Sequence, residues 1–274
     1  MARRKPSRNA CAVVTGAGSG IGRAFALSIA ERGGRVVCSD IDENSARETA
    51  DLLRDRGAEA LGVQTDVASL EAVQALADTA SDWCKGEVTL IINNAGVGAG
   101  GAVVGEIPME DWRWTLDVNL WGVIHGCHVF APLLRQQGHG GIINVGSTAS
   151  FAAAPKMGPY SVSKAAVLAL TETLAAEMSG TNIHVTALCP TWVKTNIAKA
   201  GRISGDASSM AGKLIDRGWP PEKVVRQTLD ALDRNQLYVV PQLDARTIWR
   251  TKRWAPSLYA RGLGWLNRLV DARS

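Results

Sequence analysis

Short, continuously apolar runs alternate with longer helical stretches along this chain, and no other feature constrains its fold as strongly. The runs lie at residues 12–15, 35–39, 60–64, 88–92, 141–145, 184–188 and 237–240. Because each run is apolar throughout rather than at every second position, it is typical of a strand that is buried on both faces. The helical stretches lie at residues 20–32, 43–56, 69–85, 110–136, 160–178 and 221–234. Seven strands joined by helices predict one α/β domain with a parallel, doubly wound sheet, helices on both faces and right-handed crossovers.

The formal charge of +4 is concentrated at the two ends of the chain. Residues 1–10 carry four basic side chains and no acidic one, and residues 246–274 carry seven basic side chains against Asp271 alone. The residues between them therefore have a net charge of −6. We interpret residues 1–10 as a basic arm, 11–245 as the folded domain and 246–274 as a basic, tryptophan-rich helical tail. Since no reading motif accompanies the basic charge, we expect no nucleic-acid partner.

The cysteines give no pattern that would bind a metal or close a redox pair. They are Cys11, Cys38, Cys84, Cys127 and Cys189, with no Cys-x-x-Cys spacing among them. Most lie in apolar runs, so we expect reduced core residues and no metal site. The basic start leads into polar residues rather than into an apolar signal segment, and no apolar run approaches the ~18 residues of a membrane span. These features favour a cytoplasmic location.

A glycine-rich segment, Thr15-Gly-Ala-Gly-Ser-Gly-Ile-Gly22, follows the first strand and precedes the first helix. Glycines suit such a turn because it is tight, and because the pyrophosphate of a dinucleotide must approach the N–H groups at the helix start. Glycines also end strands and cap helices for structural reasons alone. The place of this segment between strand and helix, with an acidic residue at the end of the next strand, favours a dinucleotide-binding Rossmann fold.

Asp40 is that acidic residue, and it favours NAD over NADP. A carboxylate there can accept both ribose hydroxyls of NAD. It would repel a 2′-phosphate, since unit charges ~4 Å apart interact by about 4 kcal/mol at an effective dielectric of 20. No basic residue stands at Ser19 or Ser39, where a 2′-phosphate would need one. Alternatively, Asp40 caps the next helix, a role that Asp42 can fill equally well.

A serine, a tyrosine and a lysine form the second candidate site. Ser147 ends a buried strand, and Tyr160 and Lys164 follow in Tyr160-Ser-Val-Ser-Lys164. Residues four apart share one helix face. A free tyrosine has a pKa near ~10, and a nearby ammonium together with an oxidised nicotinamide has the sign needed to lower it. Such a pair is also common on solvated helix faces, and only its place after a nucleotide-binding half favours catalysis.

Taken together, these motifs resemble the short-chain dehydrogenase/reductase family in its single-domain branch. The resemblance covers residues 11 to about 240. It rests on the glycine-rich segment, Asp66-Val67, Asn93-Asn-Ala-Gly96, Asn119, Ser147, Tyr160-Ser-Val-Ser-Lys164 and Pro190-Thr-Trp-Val-Lys-Thr195.

The resemblance implies four catalytic residues. Tyr160 would exchange a proton with the substrate oxygen, and Ser147 would polarise that oxygen. Lys164 would lower the pKa of the tyrosine and hold the nicotinamide ribose. Asn119 would hold a water that links the lysine to solvent.

The resemblance also implies a set of cofactor contacts. Asp66 and the Val67 backbone would meet the adenine, the Asn93 segment would line the adenine-ribose side, and Val193 and Thr195 would hold the carboxamide. The full set is Gly16, Ser19, Gly20, Ile21, Gly22, Asp40, Asp66, Val67, Asn93, Ala95, Gly96, Tyr160, Lys164, Val193 and Thr195. The family usually has Pro-Gly where this chain has Pro190-Thr191, and we expect Thr191 to narrow the nicotinamide pocket.

Three stretches are expected to border the substrate: residues 97–102, residues 148–155 and a lid at about 196–219. They are small and apolar, with Phe151, Met157 and Trp192 as candidate walls, and the nearby cations before the lid are Lys156 and Lys194. This suits an uncharged, bulky secondary alcohol or ketone of aromatic, alicyclic or steroid-like shape. Alternatively, the glycines only make a tight loop.

Two surfaces suggest partners. Helix 160–178 is apolar nearly all round, and in the family this helix and helix 110–136 pack against their copies, so we expect a homodimer or homotetramer. The tail carries three tryptophans among basic residues at near-helical spacing. It can pack on the body or on a neighbouring subunit, which we favour, or it can lie on an anionic membrane surface.

These observations predict an NAD-dependent oxidoreductase that moves a hydride between nicotinamide and a secondary alcohol or ketone. An NADP-dependent carbonyl or 3-oxoacyl reductase is one alternative. A dinucleotide-binding sensor without turnover is another, although such a protein has no physical need for all four catalytic residues.

Overall fold

The computed structural model describes residues 5–197, 201–204 and 206–271. The strands are β1 (Cys11–Thr15), β2 (Arg35–Asp40), β3 (Ala60–Gln64), β4 (Leu90–Asn93), β5 (Ala99–Gly100), β6 (His139–Val145), β7 (Asn182–Leu188), β8 (Arg202–Ile203) and β9 (Tyr238–Val239). Seven of them form a parallel sheet in the order β3-β2-β1-β4-β6-β7-β9. The predicted α/β fold class, with its doubly wound parallel sheet, is therefore confirmed.

Helices connect the strands and cover both faces of the sheet. They are α1 (Gly20–Ala30), α2 (Glu43–Arg54), α3 (Leu70–Trp83), α4 (Met109–Leu116), α5 (Gly122–Gln137), α6 (Ala149–Ala152), α7 (Gly158–Glu177), α8 (Asp206–Asp216), α9 (Pro221–Asp233), α10 (Leu243–Trp254) and α11 (Pro256–Asp271). A π-helical turn, Asp117–Trp121, joins α4 to α5, so the predicted helix 110–136 is continuous but not uniformly α-helical. π-Turns of this kind often occur at functional sites.

The sheet is buried on both faces, as the continuous apolar runs predict. Every residue of β1 and of β4 is buried. One core cluster centres on Phe25, Ile29 and Leu229, and the other centres on Leu76 and Phe130. The two clusters flank the sheet, which makes it the rigid support for whatever lies at its carboxyl edge.

The order of the strands fixes where a ligand can bind. From β1 the chain first builds outward to β2 and β3, and then it returns to β4 on the other side of β1. At such a switch point the connections diverge and leave a crevice at the carboxyl ends of the strands. The glycine-rich segment follows β1 and the Asn93–Gly96 segment follows β4, so the two motifs meet there.

Two short strands were not predicted. Strands β5 and β8 form a separate parallel pair, with Ala99 opposite Arg202 and Gly100 opposite Ile203. The pair ties the loop after β4 to the start of the predicted lid. Of that lid, residues 198–200 and 205 lie outside the described residues.

The prediction that all five cysteines are reduced is wrong for two of them. Cys11 and Cys84 form a disulfide, with their Cα atoms 6.1 Å apart. Cys11 begins β1 and Cys84 follows α3, just before the strand that pairs with β1, so the fold brings together two residues 73 positions apart. Cys38, Cys127 and Cys189 are free and buried, as expected.

The two ends of the chain differ. In the predicted N-terminal arm, Pro6 and Ser7 are buried, and the Ser7 hydroxyl donates to the Asp233 carboxylate over 2.8 Å, while residues 1–4 lie outside the described residues. In the tail, α10 packs on α6 through Trp249. No helix in the described part of the chain has the length and apolar character needed to cross a bilayer.

Candidate active site

The glycine-rich turn has a shape that only glycine permits. Gly16 and Gly20 have left-handed φ values of 64° and 53°. A Cβ on Gly22 would lie 2.0 Å from the carbonyl oxygen of Gly16, far inside van der Waals contact. Ser19 precedes α1, is exposed, and does not use its side chain to cap the helix. The first N–H groups of α1, from Gly20 onward, are therefore not capped by the Ser19 side chain, as an anion site requires.

Two residues that the sequence argument did not single out fix this turn to the sheet. The Asn94 side chain donates to the carbonyl oxygens of Thr15 and Gly16 over 2.8 and 3.2 Å. The Thr15 hydroxyl accepts from the backbone N–H groups of Asn94 and Ala95 over 3.0 and 3.1 Å. Both residues lie inside the quoted motifs, and their polarity at buried strand ends was the available signal. The two motifs thus hold each other directly.

The far side of the turn is tied to β2 and α2. The Asp40 carboxylate accepts from the Gly18 N–H over 2.8 Å. The Arg23 guanidinium donates to the Gly18 carbonyl, and the Thr49 hydroxyl donates to the Ala17 carbonyl over 2.9 Å. The carbonyl oxygens from Thr15 to Gly18 and the N–H of Gly18 therefore have partners within the chain.

The alternative role for Asp40, as the cap of the next helix, is taken by its neighbour. Asp42 is the N-cap of α2 and accepts from the Asn44 N–H over 3.0 Å. Hydrogen bonds from Ser45 and the backbone hold the pKa of the Asp42 carboxyl below its usual range. Asp40 lies half-buried at the carboxyl end of β2, beside the turn. Its carboxylate therefore lies beside the glycine-rich turn and does not cap α2.

On the adenine side, the predicted residues differ in what their side chains can reach. Asp66 is exposed and accepts from the Ala68 N–H over 2.9 Å. Val67 is buried, and its carbonyl oxygen lies 2.9 Å from His125 Nδ1.

Asn93 is buried and donates to the Asn144 side chain over 2.8 Å. Its side chain is buried in the core, although its amide oxygen has no hydrogen-bond partner there among the described residues. Ile21 likewise packs against the core.

The three predicted proton-handling residues come together at the carboxyl edge. The Tyr160 and Ser147 side chains are hydrogen-bonded to each other. Lys164 is buried, and its ammonium donates to the Val145 carbonyl over 3.0 Å and lies 5.9 Å from the centre of the Tyr160 ring. Tyr160 and Lys164 lie one turn apart on α7, and Ser147 follows β6. Strand and helix thus bring one hydroxyl, one phenol and one ammonium to one place.

Ser147 is held by hydrogen bonds to neighbouring residues that the sequence analysis did not identify. The Ser150 hydroxyl accepts from the Ser147 N–H over 3.2 Å, and the Ser147 hydroxyl accepts from the Ala149 N–H over 3.1 Å. The Cys189 thiol is hydrogen-bonded to Ser150. These contacts fix the turn between β6 and α6 that carries Ser147.

Burial dominates the proton affinities at this site. It raises the pKa of the Tyr160 phenol above its usual value, although the hydrogen bond with Ser147 opposes that shift. Burial lowers the pKa of Lys164 to about 8. Each shift favours the uncharged form, as expected where a charge loses its hydration. The predicted lowering of the phenol pKa therefore does not follow from the chain's own groups.

Asn119 lies in the π-helical turn, fully buried, and its side chain clamps the loop after β4. Its amide oxygen accepts from the Val97 N–H over 2.7 Å, and its amide nitrogen donates to the Val97 carbonyl over 2.9 Å. A Cβ on Gly96 would lie 3.0 Å from the Asn119 amide oxygen and 3.3 Å from Lys164 Nζ. Gly96, Asn119 and Lys164 thus line one narrow space.

The loop after β7 approaches the glycine-rich turn. Thr195 lies against it, since a Cβ on Gly20 would be 3.0 Å from the Thr195 methyl group. Val193 is buried and bridges to Trp219, where the predicted lid ends. The expectation that Thr191 narrows the nicotinamide pocket is wrong: its hydroxyl donates to Asp244 of α10 over 3.3 Å. The tail therefore explains why a threonine is tolerated here.

Three residues were predicted to form walls of the substrate pocket, and the prediction is wrong for Phe151. It is buried against Trp249 of α10, with ring centres 6.3 Å apart, and it belongs to the small core under the tail. Met157 is half-buried and Trp192 is partly exposed. The glycines after β4 have a structural purpose as well, since a Cβ on Gly101 would lie 2.5 Å from Ser204 at the start of the lid.

The start of the lid is held down by a charged residue. Arg202 lies 2.7 Å from the Asp111 carboxylate, and its guanidinium is 4.4 Å from the centre of the Trp114 ring. Both partners belong to α4. The lid start therefore has contacts with α4 as well as with β5.

Comparisons with known proteins agree with this geometry. A family model described as short chain dehydrogenase matches residues 10–204. The probable oxidoreductase EphD of Mycobacterium tuberculosis is 36% identical over 234 residues, which are 81% of this chain but 39% of the length of EphD. The 1-deoxy-11-beta-hydroxypentalenate dehydrogenase of Streptomyces exfoliatus is 34% identical over 240 residues, covering 86% of this chain and 84% of that protein.

A solved structure gives the same result. The short-chain dehydrogenase/reductase from Burkholderia phymatum, crystallised in complex with NAD, is 37% identical with a TM-score of 0.84. The alignment covers 92% of this chain and 96% of that one. With a parallel sheet whose switch point carries the glycine-rich turn, and with the tyrosine, lysine and serine gathered at its carboxyl edge, this chain belongs to the short-chain dehydrogenase family of oxidoreductases.

Proposed function

We propose that the protein is an NAD-dependent oxidoreductase that interconverts a secondary alcohol and a ketone. The observation that carries the proposal is the hydrogen-bonded pair of Tyr160 and Ser147, with the ammonium of Lys164 buried 5.9 Å from the phenol ring. We assign the activity to one domain over residues 11–245, with a lid at about 196–219.

The residues present fit a nicotinamide dinucleotide. Glycine is required at Gly16 and Gly22, where a Cβ would collide with the neighbouring backbone, so this turn keeps a backbone surface that a pyrophosphate can approach. In our proposal the first turn of α1 binds the pyrophosphate, Asp40 binds the adenosine ribose, and Asp66 and Val67 bind the adenine. Lys164 and the Val193–Thr195 segment hold the nicotinamide end. The bound nicotinamide supplies the hydride acceptor for alcohol oxidation and the hydride donor for ketone reduction.

The chain's own residues handle the proton. In ketone reduction the neutral phenol of Tyr160 donates its proton to the substrate oxygen, while Ser147 donates a hydrogen bond to the same atom. The raised pKa of Tyr160 keeps the phenol in this proton-bearing form at neutral pH. In alcohol oxidation the same oxygen accepts the proton, and a charged Lys164 nearby stabilises the phenolate that must form first.

Asp40 supports NAD rather than NADP. Its carboxylate accepts from the Gly18 N–H and the Asp42 N–H, and Asp42 rather than Asp40 caps α2, which supports a negative charge beside the turn where we propose the ribose binds. The Burkholderia phymatum relative has NAD bound. A 2′-phosphate at the same place would be repelled.

The substrate proposal rests on the loops around the site. Residues 97–102 and 148–155, apart from Phe151, supply small and apolar side chains, and exposed apolar side chains follow at Val103, Val104 and Met109. We therefore propose a bulky, uncharged alcohol or ketone. The Streptomyces relative is named for a hydroxyl-bearing substrate, which supports an alcohol as the donor.

Assembly and location complete the proposal. Trp121, beside the start of α5, and Val162 of α7 are exposed apolar side chains on the helices through which we propose a homodimer or homotetramer. We propose a cytoplasmic location. Three free, buried cysteines are compatible with it, whereas the Cys11–Cys84 disulfide is not typical of that compartment. Counting the free thiols in protein isolated without reductant shows whether Cys11 and Cys84 are reduced or form the disulfide.

The direct test is a panel of bulky secondary alcohols incubated with NAD, followed by the absorbance of NADH. We expect turnover with some uncharged alcohols, and tighter binding of NADH than of NADPH. Binding of NADH with no turnover of any alcohol or of the matching ketones would favour a sensor instead. Tighter binding of NADPH would favour the NADP-dependent reductase.

A further inference from the structure

The C-terminal arm, which we define as residues 246–268 of α10 and α11, is only partly packed on the body. Its first tryptophan, Trp249, packs against Phe151 and Tyr238. The next, Trp254, is 90% exposed. The favoured prediction, that the tail packs on the protein, thus accounts for Trp249 and not for the tryptophans that follow it.

Helix α11 presents a mixed stripe to solvent. Leu258 and Trp265 are 69% and 56% exposed, and Arg261 and Arg268 are exposed as well. Positions three, seven and ten residues after Leu258 lie on one side of an α-helix. The stripe therefore alternates leucine, arginine, tryptophan and arginine along one face. Leu266, beside it, is 52% exposed.

The charge of the arm has one sign. Residues 246–268 contain six basic residues and no acidic one. They are Arg246, Arg250, Lys252, Arg253, Arg261 and Arg268. The folded domain over residues 11–245 has a net charge of −6, so the arm is set apart from the body by its charge. Tryptophan and arginine are the side chains that lie best at the boundary between headgroups and acyl chains.

The arm leaves the body at the edge of the sheet that carries the active site. The start of α10 is bonded to the loop after β7, through Gln242 with Thr191 and through Asp244 with the same threonine. Helix α10 also packs on α6, which follows Ser147. The arm therefore begins next to the edge of the sheet that carries Ser147.

We infer that the C-terminal arm docks on an anionic membrane surface, with α11 in the plane of the interface, Leu258 and Trp265 inserted, and the arginines at the lipid phosphates. A two-fold contact between two arms would bring like charges together and leave them unpaired. An anionic bilayer instead supplies both an apolar layer for the tryptophan and a negative surface for the arginines.

The test is flotation of the full-length protein with vesicles of phosphatidylcholine, with and without phosphatidylglycerol. We expect binding to the anionic vesicles at low salt, release at high salt, and little binding to the neutral ones. The double variant Arg261→Gln/Arg268→Gln should partition roughly 30-fold more weakly. Trp265→Ser should weaken vesicle binding as well, and it should leave NADH binding unchanged because Trp265 is an exposed side chain on α11.

The matched control is Arg47→Gln/Arg56→Gln, which removes the same charge from exposed positions on and just after α2. It should bind as the wild type does. If both double variants lost vesicle binding equally, net charge alone would account for the binding. That result would overturn the arm as a docking site. Failure of the wild type to bind anionic vesicles would do the same. So would a change in sedimentation coefficient in the Trp265→Ser variant without any change in vesicle binding, since that would assign the arm to a subunit contact.

Discussion

The two ends of the candidate site are held in different ways. At the nucleotide end, backbone groups from Thr15 to Gly18 have partners from Asn94, Arg23, Thr49 and Asp40. At the catalytic end, a half-buried tyrosine lies beside a buried lysine, and the loss of hydration shifts both pKa values toward the neutral forms. At the nucleotide end the contacts fix the shape of the backbone, and at the catalytic end burial sets the proton affinities of the side chains. Substitutions at the first should change affinity, and substitutions at the second should change rates and pH dependence.

The largest effect that separates the two ends is expected from Tyr160→Phe. Removing the phenol hydroxyl removes the proton donor, so kcat should fall by about 10³-fold, within the range for loss of a general acid. Affinity for NADH should stay within about threefold, since the glycine-rich turn is untouched. Steady-state kinetics and NADH fluorescence measure the two quantities. Tyr238→Phe, which removes a hydroxyl bonded to Glu172, is the control and should keep its activity. Substantial turnover by the Tyr160→Phe variant would remove Tyr160 from the mechanism.

The next effect concerns the nucleotide end alone. Asp40→Asn keeps an oxygen for the Gly18 N–H and removes the charge, so the preference for NADH over NADPH should fall by about 100-fold. Fluorescence titration with both cofactors measures it. Asp42→Asn is the control, because that residue caps α2 and should leave the preference unchanged. An unchanged preference in the Asp40→Asn variant would show that the ribose lies elsewhere.

A third effect tests burial at the catalytic end. The pKa of Lys164 is lowered from its ordinary value of 10.5 to about 8 in the folded protein. Between these two pH values the unfolded chain therefore binds more protons than the folded protein does. The free energy of unfolding should therefore rise with pH, by about 2 kcal/mol from roughly pH 7.5 to 9.5. Lys164→Met should lack this rise. Above pH 10 the raised pKa of Tyr160 acts in the opposite sense, because the unfolded phenol ionises first. Urea unfolding of both proteins gives the comparison, and parallel pH profiles would contradict it.

The smallest effect concerns Thr191. Because its hydroxyl bonds to Asp244 and not to the nicotinamide pocket, Thr191→Gly should leave kcat/KM within about twofold. It should lower the free energy of unfolding by about 1 kcal/mol, through the lost hydrogen bond and the freer backbone. Thr191→Ala separates the two contributions. A large change in kcat/KM would mean that the threonine does shape the pocket.

The sequence predicted those parts of the molecule that depend on local pattern. The strands are continuous apolar runs, so the sheet and its switch point follow from periodicity and connection rules. The glycine turn, Tyr160 and Lys164 follow from short spacings along the chain. Asn94 and Ser150 lie inside or beside the same motifs, but nothing in their spacing indicates which backbone groups they hold.

Other features depend on contacts between distant segments and could not be predicted. The Cys11–Cys84 pair joins residues 73 positions apart. The two-residue strands β5 and β8 are too short to have a period. Phe151 and Thr191 point away from the substrate because α10 packs over them, and no local pattern of either residue records where the tail goes. The pKa of Tyr160 likewise depends on burial, which is a property of the assembled fold.

Isotope transfer tests the central claim most directly. NADH with deuterium at both hydrogens of nicotinamide C4 is incubated with a ketone substrate found in the panel, and the alcohol is analysed by mass spectrometry. Deuterium should appear on the carbinol carbon when the label is in NADH, and not when the label is in the solvent. The Tyr160→Phe variant should form little of this product although it binds the labelled cofactor. Carbinol deuterium that comes from heavy water, or its absence in product formed with labelled NADH, would contradict hydride transfer at this site.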